Sequence, residues 1–218
     1  MLGILGGTFN PPHRGHLALA RHAKAELGLE RVLLMPAGRS PHKLSEVDPG
    51  PSDRLEMCRL AVAGVDAVAV CALEIERGGP SYTVDTLRAI HESHPEAGLT
   101  FIVGADMART LPGWHEPEAL LELASLAVAE RQDAGREDVL RALAPLRKDL
   151  DGDVPDGRAA DVAFLKMPLV EISSSMVRER VAEGRPVGNL LEPAVAAYIA
   201  EHGLYGATVA NEAKAGAS

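Results

Sequence analysis

The stretch GILGGTFNPPHRGHLALA, Gly3–Ala20, decides how the chain is read. LGILG at 2–6 has the length and composition of a short buried strand, yet Gly6-Gly7 stand where such a strand would simply continue. From His16 to Gly28 apolar residues recur at helical spacing, and Gly28 is placed to cap the helix. Glycines at a strand end let a ligand approach the backbone with no Cβ in the way. The following helix turns its N–H groups and partial positive charge to the same place. His13 and His16 lie three apart around Arg14-Gly15, so both imidazoles can face one anion and donate to an oxyanion that gains charge. Zinc would need further ligands, and none stands at familiar spacing.

Outward from this stretch, strand and helix patterns alternate. Strands are predicted at 31–37, 67–76, 99–106, 125–130 and 161–167. Helices are predicted at 54–64 with Ser52-Asp53 as its cap, then at 83–94, 116–124, 136–150, 174–184 and 192–205. Residues 38–52 are rich in Pro, Gly and Ser and read as a loop. This alternation implies an α/β fold: a Rossmann-like, doubly wound parallel sheet with helices on both faces. It forms one domain over 1–205, followed by small polar residues at 206–218 that are expected to be a disordered tail. There is no internal repeat. Ligands in such sheets sit at the carboxyl ends of strands. Three motif-bearing segments can meet there: the opening stretch, GAD at 104–106, and EISSS at 171–175.

The 218 residues are 46% hydrophobic and 24% charged, as in ordinary globular proteins, and carry a net charge of −9. With no Lys/Arg run, a nucleic-acid partner is not expected. No segment approaches a membrane span and no basic leader opens the chain, so it reads as cytoplasmic, with no membrane partner. Cys58 and Cys71 form no CxxC and read as small buried hydrophobes. Aromatic residues make up only 3%, which singles out Trp114, the one tryptophan. Nothing in the sequence decides for or against a homo-oligomer.

GGTFNPPHRGHL resembles the signature of the nucleotidyltransferases that share the HxGH motif, and within them the bacterial nicotinate-nucleotide adenylyltransferases. The likeness extends over nearly the whole chain through MPAGRSPHK, PSYTVDTL, FIVGADM, GWHEP and EISSSMVRERV, in that order. It implies transfer of the adenylyl group of ATP to nicotinic acid mononucleotide, giving deamido-NAD and pyrophosphate in NAD biosynthesis. The attack is in line, without a covalent intermediate. Mg²⁺ arrives on ATP, with no metal ligand from the protein. Two other readings stand beside it: an adenylyl- or cytidylyltransferase of the same fold acting on a phosphopantetheine-type acceptor, and a nucleotide sensor without turnover.

The resemblance assigns His13 and His16 to catalysis, and Gly6, Gly7, Thr8, Phe9, Ser173, Ser174 and Arg178, with the two histidines, to ATP. Three serines opening a helix with an arginine one turn in can also be read without the family, as N–H groups, hydroxyls and a guanidinium converging on an anion. The mononucleotide is assigned Asn10, His42, Lys43, Thr83, Val84, Gly104, Asp106, Trp114, His115 and Arg131. PSYTVDTL reads on its own as a capped helix start, GWHEP as a loop anchor, and RSPHK as a surface loop. Asn10 stands where many members carry Asp, Ser175 where Thr is common, and Arg131 lacks the Pro-Gly that usually follows it.

Overall fold

The computed structural model describes residues 1–39, 47–130, 135–148, 162–166 and 172–207. Among these residues six strands make one sheet: β1 (Leu2–Gly7), β2 (Arg31–Pro36), β3 (Val68–Val70), β4 (Leu99–Gly104), β5 (Ala124–Glu130) and β6 (Val162–Lys166). Their order is β3-β2-β1-β4-β5-β6, every pairing parallel. The order reverses between β1 and β4, where a doubly wound sheet opens a crevice at its carboxyl edge.

Strand side chains alternate between two cores, as the two-residue repeat requires. Leu5, Leu34, Ile102 and Ala127 face one side, packed by α1 (Arg14–Leu27), α2 (Pro51–Val62), α8 (Ser174–Ala182) and α9 (Pro193–Glu201). Ile4, Met35, Phe101, Val103, Leu126 and Val128 face the other, packed by α4 (Thr83–Ser93), α6 (Pro117–Leu123) and α7 (Arg136–Lys148). Two short helices, α3 (Leu73–Arg77) and α5 (Ala105–Ala108), follow β3 and β4. Cys58 and Cys71 are buried in these cores.

Several predicted boundaries move. The strand expected over 67–76 is only Val68–Val70, because LEIER turns into α3 and β3 pairs with β2 alone among the described strands. Ser52-Asp53 does not cap α2. The helix opens on Pro51, whose fixed φ suits a first helical position, with Gly50 as N-cap at φ 104. Asp53 instead accepts a hydrogen bond from the Tyr198 hydroxyl at 2.8 Å, tying α2 to α9. The first helix begins at Arg14 rather than His16 and does end on Gly28 at φ 63. β4 stops at Gly104, so Asp106 is helical. The last helix ends at Glu201. Gly203, at φ 60, then turns the chain into a 3₁₀ turn at Leu204–Gly206. Residues 208–218 of the expected tail lie outside the described residues.

Candidate active site

β1 delivers Gly6 and Gly7 to the carboxyl edge, and both line a cleft there. The room they leave is already occupied on one side. A Cβ on Gly6 would lie 3.0 Å from the Phe101 ring, and one on Gly7 would lie 3.1 Å from the Phe9 ring. The missing Cβ atoms thus admit two aromatic rings as well as leaving the cleft edge open. Phe9 is itself buried core, with backbone φ 51, and its ring meets His16 edge-on at 4.8 Å. The buried ring of this residue, expected with ATP, thus packs against the histidine.

His13 is the N-cap of α1 and His16 stands in its first turn. The His13 backbone N–H donates to His16 Nδ1 at 3.1 Å, and the His16 N–H donates to the His13 carbonyl at 2.9 Å. The rings stack with centroids 3.7 Å apart. An acceptor Nδ1 puts the proton of the neutral His16 ring on Nε2, so this nitrogen is a donor. The spacing predicted from sequence is thus realised as a paired imidazole cap on one helix.

Residues from the far end of the chain join this loop. Ser173 caps α8, its Oγ accepting from the Met176 N–H at 3.2 Å. Ser174 Oγ donates to the Pro11 carbonyl at 2.8 Å, and Arg178 Nη1 donates to the Asn10 carbonyl at 2.8 Å. Arg178 Nη2 also donates to Ser175 Oγ at 3.2 Å. A guanidinium has five N–H donors, so these bonds fix its plane and use a minority of them. The Asn10 side chain is committed internally. Its Nδ2 donates to the Val47 carbonyl at 2.9 Å, and its Oδ1 accepts from the buried Tyr205 hydroxyl at 2.7 Å. Both ends of the side chain expected to meet the mononucleotide are thus bonded within the fold. An Asp at this position could not donate to Val47 when ionised, which accounts physically for the amide.

The cleft beside β1 holds about 800 Å³ of empty space, part of it open to solvent. Gly6, Gly7 and Thr8, expected with ATP, line it together with Ser81 and with Thr83, Trp114 and His115, which are expected with the acceptor. The end of β1 therefore brings residues expected with ATP and residues expected with the acceptor to one cleft. Thr83 is the first residue of α4, whose opening N–H groups have no partner within the helix. Ser81 is not a cap: its Oγ accepts from the Gly38 N–H at 2.9 Å and the Arg39 N–H at 3.3 Å. Trp114 donates from Nε1 to Thr110 Oγ1 at 3.0 Å and packs edge-on against Phe101. His115 lies against Tyr82, and Glu116 is paired with Arg88 of α4, which holds this loop against the helix start.

Other expected residues stand apart from the cleft wall. Val84 is buried core, so only its backbone could serve a ligand. Asp106 is exposed and paired with Arg109, and Gly104 precedes it as the N-cap of α5. His42, Lys43 and Arg131 lie outside the described residues. The sequence reading missed Arg54, Glu74 and Tyr82. Glu74 lines the cleft, is buried, and accepts from Thr86 Oγ1 at 3.2 Å. Burial pushes its carboxyl above the ordinary value, while hydrogen bonds from Ser81 and Thr86 and the charge of Arg77 pull it back. Among the described residues no group of three His, Cys, Asp or Glu side chains could cage a metal. The histidines, the Ser173 hydroxyl, the N–H groups opening α8 and Arg178 form a donor set that fits a magnesium-bearing polyphosphate.

The cytidylyltransferase-like family profile matches residues 4–180. A Synechococcus sp. (strain JA-3-3Ab) protein is 40% identical over 208 residues, covering 94% of each chain, and is named a probable nicotinate-nucleotide adenylyltransferase. The chain belongs to the nicotinate-nucleotide adenylyltransferase family. A Thermomicrobium roseum protein of the same name is 42% identical over 204 residues, covering 94% of this chain and 91% of its own. The fold is shared with Plasmodium falciparum nicotinic acid mononucleotide adenylyltransferase, at 18% identity, over 94% of this chain and 96% of that one. That protein has been solved complexed with APC, at a TM-score of 0.70 to this chain, and with NaAD, at 0.72. The family is the one the opening motif resembles. No described helix is long and apolar enough to cross a membrane.

Proposed function

We propose that the chain joins ATP to nicotinic acid mononucleotide, releasing pyrophosphate and forming the deamido form of NAD. The observation that carries this reading is the division of the carboxyl edge by β1. A stacked His13–His16 pair and the α8 start lie on one side, and a cleft walled by the α4 start and Trp114 on the other. Family membership selects the acceptor. With water-soluble substrates of this kind, the cytoplasm is its place of work.

The mononucleotide phosphate is already anionic and attacks the α-phosphorus of ATP in line, so no protein nucleophile is needed. As the new P–O bond forms and the bond to pyrophosphate breaks, charge grows on the α-phosphate oxygens. His16 Nε2–H and His13 donate to them. Ser173, Ser174 and Arg178 hold the β and γ phosphates that leave as pyrophosphate. Magnesium carried by ATP supplies charge neutralisation on the leaving phosphates. On the acceptor side Trp114 stacks the pyridine ring, and the N–H groups opening α4 receive its carboxylate.

The test is pyrophosphate release from MgATP with the acid mononucleotide against its amide. A carboxylate accepts at both oxygens, whereas an amide turns its NH₂ toward one of the donors. A buried donor left unsatisfied costs about 1–3 kcal/mol, so the acid should lead in kcat/KM by about 5- to 100-fold. Equal use of the amide would remove the carboxylate site. Turnover with a phosphopantetheine-type acceptor would change the substrate, and ATP binding without turnover on any acceptor would leave a sensor.

A further inference from the structure

Arg54 sits in the first turn and a half of α2 and is 2% exposed, an unusual depth for a guanidinium. It bonds to four places at once. Nη1 donates to the Thr8 carbonyl at 2.9 Å and to the Ala37 carbonyl at 2.6 Å. Nη2 donates to the Gly38 carbonyl at 2.9 Å, and Nε donates to Asp48 Oδ1 at 3.0 Å. Thr8 and Ala37 both line the cleft, at the ends of β1 and β2 respectively.

We propose that Arg54 is a positioning residue for adenylyl transfer, one buried fork that sets the spacing between the two half-sites. The proposal rests on the function proposed above. On the ATP side, Thr8 leads within two residues to Asn10, whose carbonyl is held by Arg178. On the acceptor side, the Gly38 peptide is held at both ends, its carbonyl by Arg54 and its N–H by Ser81, two residues before the α4 start. A Cβ on Gly38 would come within 2.6 Å of the Glu74 carbonyl, so this peptide has no slack toward the cleft wall. Arg54 touches neither reacting atom. It joins the strand end that serves ATP to the strand end that serves the acceptor. Lysine keeps the charge but is a point donor with three rotatable N–H groups, and it cannot span three carbonyls and a carboxylate in a fixed plane.

In-line transfer depends on the distance between two independently held substrates. A displacement of about 1 Å between them costs roughly 10²-fold in rate even when each still binds. The expected signature of Arg54→Lys and Arg54→Met is therefore a kcat, per folded molecule, lower by roughly 10–100-fold. Equilibrium dissociation constants for MgATP and for the acid mononucleotide, measured separately, should each change by less than about threefold. Asp48→Ala removes one arm only and serves if the Arg54 variants do not fold; it should show a smaller loss in kcat of the same kind. Hydrogen exchange on the same proteins should speed up together at residues 8–9 and 37–39 while β4 and β5 stay protected. Unchanged kcat per folded molecule, full rescue by lysine, or a loss confined to one dissociation constant would overturn the proposal. Unchanged exchange at both segments would overturn it without any reference to turnover. Wild-type protein that fails to turn over this substrate pair would instead count against the proposed function, with the exchange result still deciding Arg54.

Discussion

His16→Ala separates two jobs that one ring performs. The first is structural: Nδ1 accepts the His13 backbone N–H at 3.1 Å at the start of α1. Removing the acceptor at a helix N-terminus costs about 1 kcal/mol. In a domain of this size that lowers Tm by roughly 2–4 °C. The second job is chemical. With Nδ1 occupied as an acceptor, the neutral ring donates from Nε2, and deleting such a donor to a developing oxyanion costs about 2.7–4 kcal/mol, or roughly 10²–10³ in kcat. The two losses differ enough to be read apart. Calorimetry gives the first, and pyrophosphate release at saturating MgATP, well below Tm, gives the second, with the KM for ATP changing much less than kcat. A variant with the expected Tm shift and a kcat within tenfold of wild type would show that His16 only builds the helix start.

Arg178→Ala should raise the KM for ATP more than that for the mononucleotide, since the guanidinium is proposed to touch phosphates the acceptor lacks; the reverse order in initial-rate kinetics would mean the two half-sites are assigned the wrong way round. Trp114→Ala should weaken both the acid and the amide mononucleotide and leave their kcat/KM ratio nearly unchanged, because stacking does not sense the carboxylate; a collapsed ratio would make Trp114 a selectivity residue. Glu74 has its folded pKa raised above the ordinary 4.5, chiefly by burial. The folded protein therefore holds this proton more tightly than the unfolded chain does, and stability drains away as pH rises from about 4.5 through the folded value. Glu74→Gln should be more stable than wild type at pH 8, with the gap closing toward pH 4.5 in denaturant titrations, and a gap independent of pH would contradict the assignment.

The layers of the fold were legible because strand and helix patterns alternate cleanly, and the site's edge followed from where the motifs fall. The misread segments have local causes. LEIER continues an apolar run that looks like strand, but β3 lies at the sheet's edge, where three residues satisfy its pairing with β2. Gly6 and Gly7 announce a missing Cβ, and no sequence pattern says that Phe101 and Phe9 fill the gap. Ser81 looks like a helix cap and instead holds a peptide some forty residues earlier in the chain. Arg54 did leave a trace. It shares its buried stripe with Met57, Cys58 and Ala61, at i, i+3, i+4 and i+7, which places a charge where the helix should be apolar. The bonds from Ser174 and Arg178 to the opening loop span more than 160 residues and leave no local mark.

The bond from Tyr205 to Asn10 closes over 195 positions of chain. During synthesis the opening loop, although translated first, waits for nearly the whole domain before Asn10 Oδ1 receives its hydrogen bond, although Nδ2 has its Val47 partner much earlier in the chain. β1, β2 and α1 can assemble early from neighbours in sequence, but the loop that carries the histidine pair gains its later supports from Ser174, Arg178 and finally Tyr205. Until then a nascent chain can have much of its sheet and still lack a finished site. The full set of bonds that holds the opening loop therefore exists only on a chain that has passed this last docking step.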